Sequence, residues 1–272
     1  MVVGDQEVPL PGFFEEIGGP SFAPLAVAPD GDFAYVQGPA SIGTYDVEMR
    51  RTLPDTAPLD ANCGPASIMP LAQTRRVAAV CVGSQSVSIM QITSSGALGS
   101  EISYPFPVVA DGRTDSFGNE LALGSAHWAV TSEDATRLWL VTGNGHVFEV
   151  DTTDGDIVES ADLRLGSEDF VPYGQVRLSD DGGSLLVGLQ KVSAMIRGES
   201  VISDRILVVD TGSWAASEAV PAGSQITWFG LDAWGDIYVL DRRKPLLTVL
   251  DSQGSNVEAI IPLPGEPRQL VM

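Results

Sequence analysis

Short apolar runs alternate along this chain with tight polar turns, and one order of runs returns five times. Each copy holds an apolar run, an acidic or glycine turn, a second apolar run, a third run ending on Asp or Gln, and a fourth closing on Pro or Gly. The first copy reads Leu25-Ala26-Val27-Ala28, the turn Pro29-Asp30-Gly31, then Phe33-Ala34-Tyr35-Val36, then Ile42-Gly43-Thr44-Tyr45-Asp46. Apolar runs this short, bounded by turn residues, predict strands, and Asp-Gly between two of them predicts a hairpin because glycine accepts the positive φ the turn requires. The later copies carry the turns Gln73-Thr74-Arg75, Ser132-Glu133-Asp134, Ser179-Asp180-Asp181-Gly182 and Asp232-Ala233-Trp234-Gly235, and their third runs end at Gln91, Asp151, Asp210 and Asp251. The second copy has lost the Asp-Gly pair.

Those third-run ends step by 45, 60, 59 and 41 residues, which brackets the roughly 40 to 50 residues of a β-propeller blade once two insertions are allowed. The insertions fall near residues 105–124 and 191–204. The C-terminal Glu266-Pro267-Arg268-Gln269-Leu270-Val271-Met272 reads as the first strand of a further blade, and the start Met1 to Gly12 resembles the last strands of one. Pairing strands from both chain ends closes such a ring and removes exposed sheet edges. The expectation is an all-β fold, a propeller of four-stranded antiparallel blades in one domain over residues 1–272. Five blades are complete and a sixth is split between the termini; a truncated seven-bladed ring is the other count considered.

Composition narrows the function classes. The 272 residues carry 36 Asp and Glu against 15 Lys and Arg, a formal charge of −21. A field of that sign repels nucleic acid and anionic membranes, and the best basic run, Arg242-Arg243-Lys244, is confined to one expected hairpin loop. No apolar stretch approaches the length of a membrane span, and Met1 to Asp5 lacks the basic and apolar regions of a signal peptide. The acidic, lysine-poor balance favours a secreted or periplasmic setting over the cytoplasm. Cys63 and Cys81 stand either as one disulfide or as two buried thiols.

The segments Ala28-Pro29-Asp30-Gly31-Asp32-Phe33-Ala34-Tyr35-Val36 and Leu231-Asp232-Ala233-Trp234-Gly235-Asp236-Ile237-Tyr238-Val239 resemble bacterial YVTN-type and NHL-type propeller repeats. The wider neighbourhood of that resemblance includes quinoprotein amine dehydrogenase heavy chains, which support a partner subunit, and six-bladed metal-dependent lactonases. The lactonases hold a divalent ion with Glu, Asn and Asp at the central channel, and no such set maps onto this chain residue by residue.

The candidate chemistry is sparse. His127 and His146 are the two histidines, too few for a histidine-rich metal centre, and His146 falls in the turn Gly143-Asn144-Gly145. Asp151-Thr152-Thr153-Asp154-Gly155-Asp156 looks like a calcium loop but lacks its alternating oxygen ligands and distal Glu. No Gly-x-Ser-x-Gly elbow is present. Aligning the copies on their turns places His127, Gln175, Trp228 and Gln269 just before or at the start of first strands, positions that gather at one mouth of a propeller channel, so these are the candidate ligand contacts. Candidate partner contacts are Phe106, Phe117, Met195 and Ile196, apolar residues in the insertions, and Trp234, an aromatic in a turn. The reading is a noncatalytic propeller that binds a protein or small ligand at one channel mouth and through inserted loops, a monomer without a required cofactor. Its alternative is a hydrolase of the lactonase type with a divalent metal in the channel.

Overall fold

The computed structural model describes residues 2–3, 6–7, 25–28, 30–38, 40–64, 66–71, 74–109, 126–163, 170–191, 205–218, 226–241 and 244–264. They form strands and turns, with no helix among them. The chain divides into two compact units, one of Met1–Val108, Ser125–Leu138 and Val150–Ile157, the other of Val109–Gly124, Trp139–Glu149 and Val158–Met272. A short ladder near the N-terminus pairs β1 (Val2–Val3) with β2 (Gln6–Glu7). The C-terminal segment expected to complete a sixth blade lies outside the described residues.

Five four-stranded antiparallel sheets follow, each an up-and-down meander of consecutive strands. The first is β3 (Leu25–Val27), β4 (Phe33–Gln37), β5 (Ser41–Asp46) and β6 (Arg51–Pro58). The second is β7 (Ala66–Leu71), β8 (Arg76–Cys81), β9 (Ser86–Ile92) and β10 (Leu98–Pro105). The third is β11 (Ala126–Thr131), β12 (Arg137–Thr142), β13 (His146–Asp151) and β14 (Ile157–Asp162). The fourth is β15 (Phe170–Leu178), β16 (Ser184–Lys191), β17 (Arg205–Asp210) and β18 (Ala216–Glu218). The fifth is β19 (Ile226–Leu231), β20 (Ile237–Asp241), β21 (Leu246–Leu250) and β22 (Val257–Pro262).

Burial explains why the second strands read as unbroken apolar runs. Nearly every residue of β4, β8, β12 and β16 is buried on both faces, whereas β6, β14, β18 and β22 are exposed along most of their length. A strand covered on both faces needs apolar side chains at every position, and an outer strand does not. In the first unit the covering contacts are Tyr35 and Ile42 of the first sheet packed with Ile68, Val77 and Met90 of the second. In the second unit Leu186, Ile206 and Val208 of the fourth sheet pack on Phe229, Ile237, Val239 and Leu250 of the fifth.

The hairpin joining first and second strands is built the same way in most copies. Gly31 and Gly182 hold the left-handed position at φ 78° and 73°, and their amides donate to the carbonyls of Ala28 and Ser179. Asp30 and Asp181 close the same turns by accepting from the amides of Asp32 and Gly183. Where glycine is missing, the turn survives with an ordinary residue in that conformation: Ala135 at φ 55° and Arg75 at φ 50°. This costs roughly 1 kcal/mol in backbone strain at each. The Arg75 guanidinium offsets part of it by donating to Thr93 O at 3.0 Å.

Cys63, in the link between the first two sheets, is bonded to Cys81 at the end of β8, across a sequence separation of 18 residues. Both sit inside the core of the first unit, 1% and 0% exposed. The Gly83 amide donates to Cys63 O at 2.8 Å, and a Cβ on Gly83 would stand 2.2 Å from Asn62 O. The backbone therefore approaches the bridge too closely for any other residue at that position. Replacing both cysteines by alanine is expected to lower unfolding stability by about 3 kcal/mol, the chain-entropy value for a loop of this size. Urea denaturation checks it, and an unchanged midpoint would show that the link is already fixed without the bond.

Candidate functional site

The residues expected at a channel mouth do not all offer free surface. Gln175 and Trp228 both belong to the second unit and both sit at irregularities in their first strands. The β15–β16 register shifts between Pro172 and Val176, and the β19–β20 register shifts between Ile226 and Trp228. A bulge re-aims side chains, and the half-buried Gln175 uses this to cross to the fifth sheet, where its Oε1 accepts the Phe229 amide at 3.1 Å. β19 is the edge strand of that sheet, so Gln175 supplies a partner for an edge amide. Trp228 is 7% exposed and packs with Leu240 and Leu247. His127 lies on β11. Gln269 falls outside the described residues.

The expected partner contacts divide similarly. Phe106 is 6% exposed, and its amide donates to Gln85 O at 2.9 Å, so the ring is part of the interior and presents nothing to a partner. The reason is that Phe106 continues the β9–β10 ladder, standing opposite Gln85 just after Pro105 stands opposite Ser86. Phe117, Met195 and Ile196 lie outside the described residues. Trp234 is the opposite case at 85% exposure. Its turn is held by Asp232, whose Oδ1 accepts the amides of Trp234 and Asp236 at 2.9 and 3.0 Å and whose Oδ2 accepts the Tyr238 hydroxyl at 3.1 Å. That bond and burial raise the Tyr238 hydroxyl above its ordinary value.

The recurring aspartates at the ends of third strands are turn devices. Asp46 accepts the Met49 amide, Asp151 that of Thr153, Asp210 the amide and hydroxyl of Ser213, and Asp251 the amide and hydroxyl of Ser255 together with the Asn256 side chain. Asp151 also pairs with Arg137, and the run from Asp151 to Asp156 closes as a turn in which Asp154 accepts the Asp156 amide. Among the described residues no group of three or more His, Cys, Asp or Glu is placed to hold a metal ion.

One concave feature was not legible beforehand. In the first unit, a cleft of about 460 Å³ opens between the outer strands of the first sheet and the β9–β10 hairpin, lined by Asp32, Phe33, Glu48, Met49, Leu53 and Asp55 among others. Met49 is 61% exposed there, and the Phe33 ring lies over Gly96 so closely that a Cβ would meet it at 2.1 Å. Its acidic rim favours cations over anions. The wall residues come from three separate stretches, 32–33, 46–55 and 94–97, and only the exposed Glu48-Met49 pair in a turn could have signalled it.

No family model matches the chain, and no curated protein matches it by sequence. Solved structures do resemble it. The β-propeller domain of Cps50 (Swd1) from Myceliophteria thermophila shares 13% identity at a TM-score of 0.55, covering 89% of this chain and 73% of that one. A chain of the mitotic checkpoint complex shares 11% at 0.59, covering 90% and 66%. The dihydro-heme d1 dehydrogenase NirN, in complex with DHE, shares 14% at 0.59, covering 89% and 48%. The fold is that of a β-propeller, and at these identities the likeness extends to the fold alone.

The turn aspartates make acid stability predictable in sign. The carboxyls of Asp134, Asp181 and Asp210 are held below the ordinary 3.8 chiefly by hydroxyl donors from Ser132, Ser179 and Ser213, and that of Asp151 chiefly by the Thr153 amide. Asp251 is lowered to about 2, first by Asn256. Depressed native values mean that the unfolded chain binds more protons, so the stabilisation is complete above the ordinary value and lost as pH falls through the native ones. Urea midpoints are expected to drop from about pH 4 toward pH 2, the Asp251 value, and Asp251→Asn should remove part of that slope. Midpoints that hold or rise below pH 4 would contradict the assignment.

Proposed function

We propose that this protein is a noncatalytic β-propeller that binds a protein partner, with the tip of its fifth sheet as a principal contact. One observation carries the reading: a tryptophan 85% exposed on a turn that three hydrogen bonds to Asp232 hold in place. A turn backbone already fixed before binding leaves only the side-chain torsions of the indole to order on association, and tryptophan is enriched among the contacts that dominate binding energy. A chain of similar fold was solved within the mitotic checkpoint complex, which supports use of this architecture in protein assembly.

The repeats are of the YVTN or NHL type in this reading, and residues 1–272 form one propeller domain, supported by structural likeness that runs over about nine-tenths of the chain. The bonded pair Cys63–Cys81 supports an oxidising, extracytoplasmic setting. No helix among the described residues is long and apolar enough to cross a membrane.

Trp234→Ala tests the reading on two axes. Stability should stay within about 0.5 kcal/mol, because the indole contributes to no core, while affinity for the partner should fall by at least tenfold, the effect of losing a dominant contact. The partner is first fixed by a photo-crosslinking residue placed at position 234 in the native host. A Trp234→Ala protein that retains full partner affinity, or a position that yields no discrete adduct, would overturn the reading.

A further inference from the structure

Many aspartates of this chain are committed to their own turns, as Asp134, Asp181, Asp210 and Asp251 are to the amides that follow them. The carboxylates around the cleft of the first unit differ. Asp32, Glu48 and Asp55 line it, and among the described residues their carboxylates accept no hydrogen bond and form no ion pair. A fourth, Asp46, gives one oxygen to the Met49 amide at 2.8 Å. Arg51 is the one base in the described lining, and it stands across from Asp46 in the β5–β6 register. Those two charges offset each other and leave Asp32, Glu48 and Asp55 without a countercharge.

The same cleft has apolar walls. Phe33, Leu53 and Ala97 are half-buried in it and Met49 is exposed, so a ligand would cover hydrocarbon as well as meet charge. All of the lining lies within residues 32–97, inside the first unit, and its 460 Å³ falls in the range of roughly 300–1,000 Å³ typical of ligand clefts. No three of its acids are placed to hold a metal ion. Carboxylates spread along a rim do little for a compact ion, whereas an extended organic cation meets them one by one. The outer strand β6 is also a poor template for an added strand, because Pro54 has no amide to donate and the register shifts between Gly43 and Tyr45. Recognition here falls to side chains.

We infer that this cleft docks a basic segment of a partner protein in which arginines flank an apolar residue, the apolar side chain and the arginine stems lying on Met49 and Leu53 and the guanidinium groups facing Asp32, Glu48 and Asp55. Long basic side chains cover apolar surface with their stems while the charged head stays at the rim. The guanidinium is weakly hydrated and matches a carboxylate in two parallel hydrogen bonds, so it gives up less to water than an ammonium would. Charge selects against the other occupants. A second copy of the chain, itself at −21, is repelled, as are nucleic acid and anionic lipid. The inference rests on the reading of the chain as a protein-binding propeller, but on none of the contacts of Trp234, and it names the chemistry of a partner segment at a separate surface.

The probe is the peptide acetyl-Arg-Leu-Arg-amide, titrated by amide NMR at constant ionic strength. It should shift the resonances of residues 32–33, 46–55 and 94–97 saturably, and acetyl-Gln-Leu-Gln-amide should leave them in place. Acetyl-Arg-Gly-Arg-amide should bind about threefold more weakly or worse, the effect of losing a partly buried leucine. The double variant Glu48→Gln/Asp55→Asn has no native bond to lose there, so it should melt with the parent and weaken the arginine–leucine peptide about tenfold. Glu133→Gln/Glu159→Gln removes the same charge from exposed sites outside the cleft and should leave the affinity within about twofold, since screened charges far from a ligand act weakly. Trp234→Ala should leave the titration unchanged, so failure of that contact and failure of this site read out separately. Shifts that do not saturate or that miss those three stretches, equal affinity for the glycine peptide, or equal effects of the two double variants, the mark of diffuse attraction only, would overturn the inference.

Discussion

Everything in this structure follows from the need to cover both faces of the central strands in each sheet. Val77, Ala78 and Ala79 on β8 are each 0% exposed, as are Leu185, Leu186 and Val187 on β16. A sheet with such strands cannot stand alone in water, because burying each large aliphatic side chain is worth about 1.5–3 kcal/mol and the opportunity is lost if either face stays open. Within each unit neighbouring sheets supply that cover. The outer strand of a sheet is left with charged and polar residues, and the tips of the hairpins are left to do other things.

The turns are where that division of labour is enforced chemically. An aspartate at the end of a third strand stops the strand by offering its carboxylate to amides two to four residues on, and it does so at Asp46, Asp151, Asp210 and Asp251. The same device closes the hairpins at Asp30, Asp134, Asp181 and Asp232. Part of the strong negative charge is therefore an outcome of building many tight turns from Asp. These carboxylates are already engaged with their own backbone, which explains why a repeated acidic pattern need not mark a metal-binding ring.

The repeat was legible because its two signals are local. Apolar runs and Asp or Gly at recurring offsets mark the five sheets, including the second, where Arg75 takes the place of a glycine. They do not mark the full length of the strands: β15 starts at Phe170, several residues ahead of Gln175, and β16 runs on to Lys191. The site was much less legible. Gln175 and Trp228 were found by their place before the turns, yet what they do depends on bulges and on a neighbouring sheet, and neither is written in a local pattern. Phe106 reads as a surface residue of an insertion until it is seen to extend the β9–β10 ladder to Gln85.

Amide hydrogen exchange measured strand by strand tests the burial account most directly. The account predicts slowest exchange in β8, β12, β16 and β20, each hydrogen-bonded on both edges and covered on both faces, and fastest exchange in β6, β14, β18 and β22. Outer strands that exchange as slowly as the central ones would contradict it.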